Sequence, residues 1–200
     1  MENILFIHGF GGDKTSSTGQ NVKSVLTNEK ADFTFTTDTF ELMDYEGTLN
    51  QIDQLVKENN ITTIIAHSFG AFYALAYTGN VKKILINPCM EPSNIIPKLL
   101  VTGTPEELVS FEKYFGSSND KFVETFKAAE DVIYNPEKLS KNKIFGIFAK
   151  GDELFSFKNK FASLYPSEKE PNLISVEGGH KIGIESLEQA LPVAMKYINS

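Results

Sequence analysis

The stretch Ile64-Ile65-Ala66-His67-Ser68-Phe69-Gly70-Ala71 decides the fold. An apolar run enters a His-Ser-Phe-Gly turn, and the helix-forming run Ala71–Tyr77 follows. A short strand, a sharp turn carrying serine and then a helix is the sequence form of a nucleophile elbow. Backbone and side chains crowd at such a turn, so small residues are needed two before and two after the serine. Ala66 and Gly70 stand there. Ala66 replaces the usual glycine and adds only a methyl. The turn predicts Ser68 on a strained backbone, exposed above a sheet. It also predicts that the Phe69 N–H, at the start of the next helix, faces developing negative charge. The plainer alternative is a buried serine in an ordinary strand-to-helix turn.

Outward from the elbow, short apolar runs alternate with amphipathic ones. Strands are predicted at Asn3–Ile7, Phe33–Phe40, Thr62–Ala66, Lys83–Ile86, Lys143–Ala149 and Leu173–Val176. Most are continuous apolar runs, which suit strands covered on both faces of a parallel sheet. Leu49, Ile52, Leu55 and Val56 mark one helix face, and Ile184, Leu187, Leu191, Ala194, Met195 and Ile198 mark another. Val22, Val25 and Leu26 predict a helix after the first strand. This rhythm predicts an α/β fold: a doubly wound, mostly parallel sheet of about six strands with right-handed crossovers. Function in such sheets gathers at the carboxyl ends of the strands, where the strand order reverses. If the first and third strands are neighbours, their loops meet there.

Composition sets the limits. The chain has 200 residues, enough to bury a core, and is read as a single domain over 1–200. A net charge of −7 disfavours a nucleic-acid partner or an anionic membrane. Every cationic side chain is Lys, so no guanidinium can clamp a phosphate or carboxylate in bidentate fashion. Cys89 is the one cysteine and has no internal disulfide partner, which fits a reducing compartment. With three histidines and one cysteine, a structural zinc site is not expected. Met1-Glu2-Asn3 and four apolar residues do not make a signal peptide, and no apolar run reaches membrane-spanning length. The expectation is a soluble, cytoplasmic protein without a membrane span, its oligomeric state open.

The rhythm breaks over residues 89–142, read as a small helical cap insertion. Thr104-Pro105-Glu106-Glu107 reads as an N-cap, a proline at the first helical position and a capping-box glutamate. Phe111, Tyr114 and Phe115 follow on one face, and Lys121–Asp131 carries Phe122, Val123 and Phe126. Two readings stand open: the aromatics line an apolar pocket over the sheet edge, or the two helices pack on each other.

Ile4-Leu5-Phe6-Ile7-His8-Gly9-Phe10-Gly11-Gly12 carries the second chemical signal. A strand ending in His-Gly-x-Gly-Gly resembles the loop that gives α/β-hydrolases their second oxyanion donor. That resemblance points to the backbone N–H of Phe10. Gly9-Phe10-Gly11-Gly12-Asp13-Lys14-Thr15 also looks somewhat like a phosphate-binding loop, but Asp13 stands at the penultimate glycine and would repel phosphate. Lys14 at the third glycine position likewise breaks a dinucleotide fingerprint.

Three histidines limit the choice of base. His8 belongs to the glycine loop and is expected to fix its shape. His67 adjoins the serine and is expected to point away from it. His180 follows a strand and Glu177-Gly178-Gly179, so its loop can bring it over the sheet edge to Ser68. The orienting acid is expected between serine and histidine in chain order. Asp152, after the strand that ends at Gly151, is the choice, with Glu153 in reserve. Cys89 lacks elbow geometry and reads as a buried structural thiol.

Ile4–Phe10, His67-Ser68-Phe69-Gly70, Leu85-Ile86-Asn87-Pro88, Gly151-Asp152-Glu153 and Glu177-Gly178-Gly179-His180 together resemble α/β-hydrolases, and more narrowly the small bacterial YqiA-like esterases. The resemblance implies an α/β-hydrolase core with Ser68, Asp152 and His180 as catalytic triad. The expected function is hydrolysis of small acyl esters, with Phe10 and Phe69 N–H groups as oxyanion hole and without cofactor or metal. A thioesterase or peptidase using the same machinery, or a non-catalytic binding module on this scaffold, are the alternatives.

Overall fold

Alternate residues of the first strand serve opposite sides of the sheet: Ile4 and Phe6 face one layer, Leu5 and Ile7 the other, and all four are buried. The computed structural model describes residues 1–29, 32–137, 139, 142–167 and 170–200. Its strands are β1 (Glu2–Ile7), β2 (Phe33–Thr37), β3 (Thr63–His67), β4 (Lys82–Ile86), β5 (Ile144–Ala149) and β6 (Leu173–Val176). They form one all-parallel sheet in the order β2-β1-β3-β4-β5-β6.

Helices cover both faces, which is why the strands read as unbroken apolar runs. On one face lie α1 (Ser17–Asn28) and α8 (Ile184–Asn199). Their Val22, Val25, Leu187, Leu191 and Ile198 share a core with Ile65, Ile84 and Ile147. The opposite core joins α2 (Tyr45–Glu58), α3 (Phe69–Ala76) and α7 (Lys158–Leu164) to Leu5, Ile64, Leu85 and Phe148. The strand order reverses between β1 and β3, so the loops after Ile7 and His67 open side by side.

The second strand ends earlier than the apolar pattern suggests. It stops at Thr37, and the N–H of Phe40 turns to donate to His8 Nε2 at 2.9 Å. A side-chain acceptor from the neighbouring strand end takes the place of a ladder partner there.

Among the described residues, the insertion contains three helices rather than two: α4 (Pro92–Leu99), followed by a 3₁₀ turn at Leu100–Thr102, then α5 (Pro105–Phe115) and α6 (Asn119–Ile133). The helix start at Thr104 forms as its sequence predicts. Thr104 Oγ1 accepts from Glu107 N, and Glu107 Oε2 accepts from Thr104 N at 2.7 Å. Residues 138, 140 and 141 of the expected insertion lie outside the described residues. Phe111, Phe115, Phe122 and Phe126 settle the open reading of the aromatics: they pack on one another. The Phe122 and Phe126 rings stack with centroids 4.4 Å apart, and Phe126 meets Phe69 and Phe72 of α3. These rings belong to the core and not to a ligand pocket. No helix among the described residues is long and apolar enough to cross a membrane.

Candidate active site

Ser68 occupies the turn between β3 and α3 with φ 54° and ψ −121°, strained as expected but buried, with 5% of its surface reached by solvent, where the turn predicts exposure. A non-glycine residue here is strained, and surrounding structure must hold it. The Ser68 N–H donates to Ile86 O, and Ser68 O accepts from Cys89 N, so the turn is fastened to the end of β4. Gly70 permits the rest of the fit. A Cβ at Gly70 would stand 2.2 Å from His8 O and 2.7 Å from Ile7 O. Only hydrogen at that position lets the start of α3 press against the end of β1. Gly9 meets the serine from the other side, its Cβ position 2.9 Å from Ser68 Cβ. The expectation of a small residue two after the serine thus has a specific cause at Gly70.

The three predicted side chains come together. His180 Nε2 is 2.8 Å from Ser68 Oγ, and His180 Nδ1 is 2.9 Å from Asp152 Oδ2. The other Asp152 oxygen accepts from the N–H groups of Leu154 and Phe155. Burial alone would raise the Asp152 carboxyl. The hydrogen bond from His180 and the two backbone donors outweigh it and hold the group below its ordinary value. Asp152 is therefore an anion fixed at both oxygens. It makes Nδ1 of His180 the protonated nitrogen and leaves Nε2 free to accept from Ser68. Phe155 meets the His180 ring edge-on with centroids 4.8 Å apart, which limits its rotation.

Among the described residues, the two backbone groups expected as oxyanion donors, the Phe10 N–H and the Phe69 N–H, have no partner within the chain. Phe10 and Phe69 pack ring to ring at 6.4 Å, which ties the two loops together. His8 shapes the first loop, as expected of it. Its Nδ1–H donates to Gly9 O at 2.8 Å and its Nε2 accepts from Phe40 N, which selects one neutral tautomer. Burial lowers its pKa and so keeps it neutral.

A cleft of about 500 Å³ opens over Ser68 and His180. Phe10 of the glycine loop, Leu99, Thr104 and Glu107 of the insertion, and Leu154 line it. The insertion thus contributes the link from α4 to α5, while its aromatic rings stay in the core. This volume accommodates a small molecule.

Three residues take parts that sequence patterns did not disclose. The Nε2–H of His67 donates to His180 O at 3.0 Å. Asn87 donates to the same carbonyl at 3.0 Å. Glu153, the reserve acid, accepts from the backbone N–H of His180 at 2.9 Å and not from its ring. The piece Leu85-Ile86-Asn87-Pro88 is the sequence signal at Asn87, which the structure shows buried at a strand end with φ 42°. Cys89 is buried and free, its thiol pushed up by burial, as a structural thiol should be.

The family described as "Uncharacterised protein family (UPF0227)" matches residues 3–196. No curated protein matches the chain. Alpha/beta hydrolase domain-containing protein 10 from mouse is similar in structure, with a TM-score of 0.67 and 12% identity over 97% of this chain and 89% of that one. Est1E from Butyrivibrio proteoclasticus gives 0.66 and 16% over 100% and 89%. An esterase from Pyrococcus furiosus gives 0.57 and 17% over 98% and 78%. These likenesses show an α/β-hydrolase fold.

Proposed function

The chain belongs to the UPF0227 family, and we propose that it is a serine carboxylesterase acting on small acyl esters. The observation that carries this reading is the unbroken line Asp152–His180–Ser68, with both of its contacts below 3 Å. His180 Nε2 takes the Ser68 proton as Oγ attacks the ester carbonyl. The oxyanion that forms lies against the N–H groups of Phe10 and Phe69. Protonated His180 then gives its proton to the departing alcohol, and the acyl group remains on Ser68. Water, deprotonated by His180, attacks the acyl-enzyme and releases the acid, returning the proton to Ser68. Asp152 stays ionised throughout and stabilises each imidazolium.

These steps need only side chains and backbone groups of the chain, without cofactor or metal. The cleft volume supports a small-molecule substrate. A lone cysteine, free and buried, supports a cytoplasmic setting within this reading. A panel of p-nitrophenyl esters, acyl thioesters and aminoacyl amides tests the assignment, with Ser68→Ala as control. Ester turnover that vanishes in the control is expected. A preference for thioester or amide would move the substrate class, and no ester turnover above the control would overturn the proposal.

A further inference from the structure

We propose that His67 and Asn87 are positioning residues that clamp the backbone carbonyl of His180 and thereby set the reach of its ring toward Ser68. The inference rests on the serine-hydrolase reading above, but it concerns a different set of contacts. His180 is carried by a loop led by two consecutive glycines, Glu177-Gly178-Gly179, and Gly178 lies at φ 128°. A loop of that kind does not hold its own backbone in place. External contacts supply the restraint. The His180 carbonyl accepts from His67 Nε2 at 3.0 Å and from Asn87 Nδ2 at 3.0 Å, and Asn87 Nδ2 also reaches Gly179 O at 3.3 Å. The His180 N–H is held by Glu153. The peptide groups on both sides of the base are therefore fastened.

The two donors are themselves fixed to the sheet. Asn87 follows β4 with φ 42°, its N–H donates to Ile147 O, and its side-chain oxygen accepts from Ala149 N at 2.7 Å. That contact aligns the amide so that its nitrogen faces the His180 loop. His67 is the last residue of β3 and immediately precedes Ser68. Its other nitrogen lies 3.2 Å from the Cβ position of Gly9. One ring thus stands between the glycine loop and the base loop, next to the nucleophile. Both donors are buried, so water does not replace them cheaply when either is lost.

A carbonyl held by two donors at sheet ends keeps the imidazole at the distance proton transfer needs. Misplacement of a reacting group by about 1 Å costs about 10²-fold in rate. The clamp acts on the position of the base, so its loss is read chiefly in kcat.

The experiment compares His67→Gln with His67→Leu. Gln can present an amide donor near the Nε2 position, and Leu fills similar space without one. His67→Leu should lower kcat about tenfold at unchanged KM, counted per serine titrated by a fluorophosphonate. His67→Gln should stay within about threefold of wild type. Asn87→Asp keeps the acceptor for Ala149 N and tolerates the positive φ, but loses the donor. It should lower kcat about 10²-fold, and combining it with His67→Leu should cost more than the product of the two.

Imidazole ¹⁵N spectra read the clamp without any substrate. His180 should give one set of ring signals in wild type and His67→Gln, and shifted or multiple sets in His67→Leu. Unchanged His180 signals in His67→Leu overturn the clamp whether or not an ester is cleaved. Equal kcat for His67→Leu and His67→Gln overturns it as well, even if Asn87→Asp fails to fold. Absence of wild-type ester turnover strikes the esterase assignment alone.

Discussion

The Cβ position of Gly9 lies 2.9 Å from Ser68 Cβ, so the loop that follows β1 is pressed directly onto the elbow. Gly9→Ala forces these two backbones apart. The Phe10 N–H follows Gly9 and moves with it. Losing an oxyanion donor costs about 10²–10³ in rate, so kcat should fall about 10²-fold with a smaller change in KM. Steady-state kinetics beside a thermal melt check this. A folded Gly9→Ala protein with wild-type kcat would show that the loop takes no part.

His67 predicts a loss of stability in acid. Burial and the neighbouring His180 bring its pKa down to about 4, from 6.5 in the unfolded chain. Between those values the unfolded chain binds the proton and the folded chain does not, so stability is present above pH 6.5 and declines as pH falls toward 4. Each pH unit in that window is worth about 1.4 kcal/mol, giving about 3 kcal/mol across it as an order of magnitude. Urea denaturation at several pH values should show this slope in wild type and a shallower one in His67→Gln. Equal slopes would mean that the buried ring does not titrate in this window.

Lys83 predicts a stabilising substitution. Its side chain is fully buried in β4, its Nζ donates to Tyr77 O at 2.7 Å, and burial lowers its pKa to about 8. The unfolded lysine stays charged up to 10.5, so the folded state is penalised below pH 8 and the penalty fades as pH rises to 10.5. Lys83→Met should therefore gain about 2 kcal/mol at pH 7 after the lost hydrogen bond is allowed for. The gain should shrink by pH 10. A destabilised Lys83→Met protein at pH 7 would count against this account of the buried amine.

Cys89 should be inert while the chain is folded. Its thiol is fully buried, and burial raises its pKa, so little thiolate is available to react. Ellman's reagent should label it only after denaturation. Rapid labelling of native protein would place the thiol at a surface.

Much of the architecture was readable because parallel strands covered on both faces leave continuous apolar runs, as in Ile64-Ile65-Ala66. Ser68 and Gly70 were readable because the elbow's crowding restricts residue type. His180 followed from scarcity, since two of three histidines were already placed. The aromatics of α5 and α6 show where such reading stops. Their spacing marks an apolar face, but spacing alone does not say whether that face meets a ligand or Phe69 and Phe72. The end of β2 was hidden for a similar reason. Phe40 continues the apolar pattern, yet its N–H belongs to His8, 32 residues away. The contacts of Asn87, His67 and Glu153 to the His180 backbone are tertiary hydrogen bonds between loops and leave no periodic trace.

Mass spectrometry of the chain after fluorophosphonate treatment tests the central claim most directly. A single covalent adduct on Ser68 is predicted in wild type, strongly slowed in His180→Ala and absent in Ser68→Ala. An unmodified Ser68 in folded wild-type protein, or labelling undiminished without His180, would contradict it.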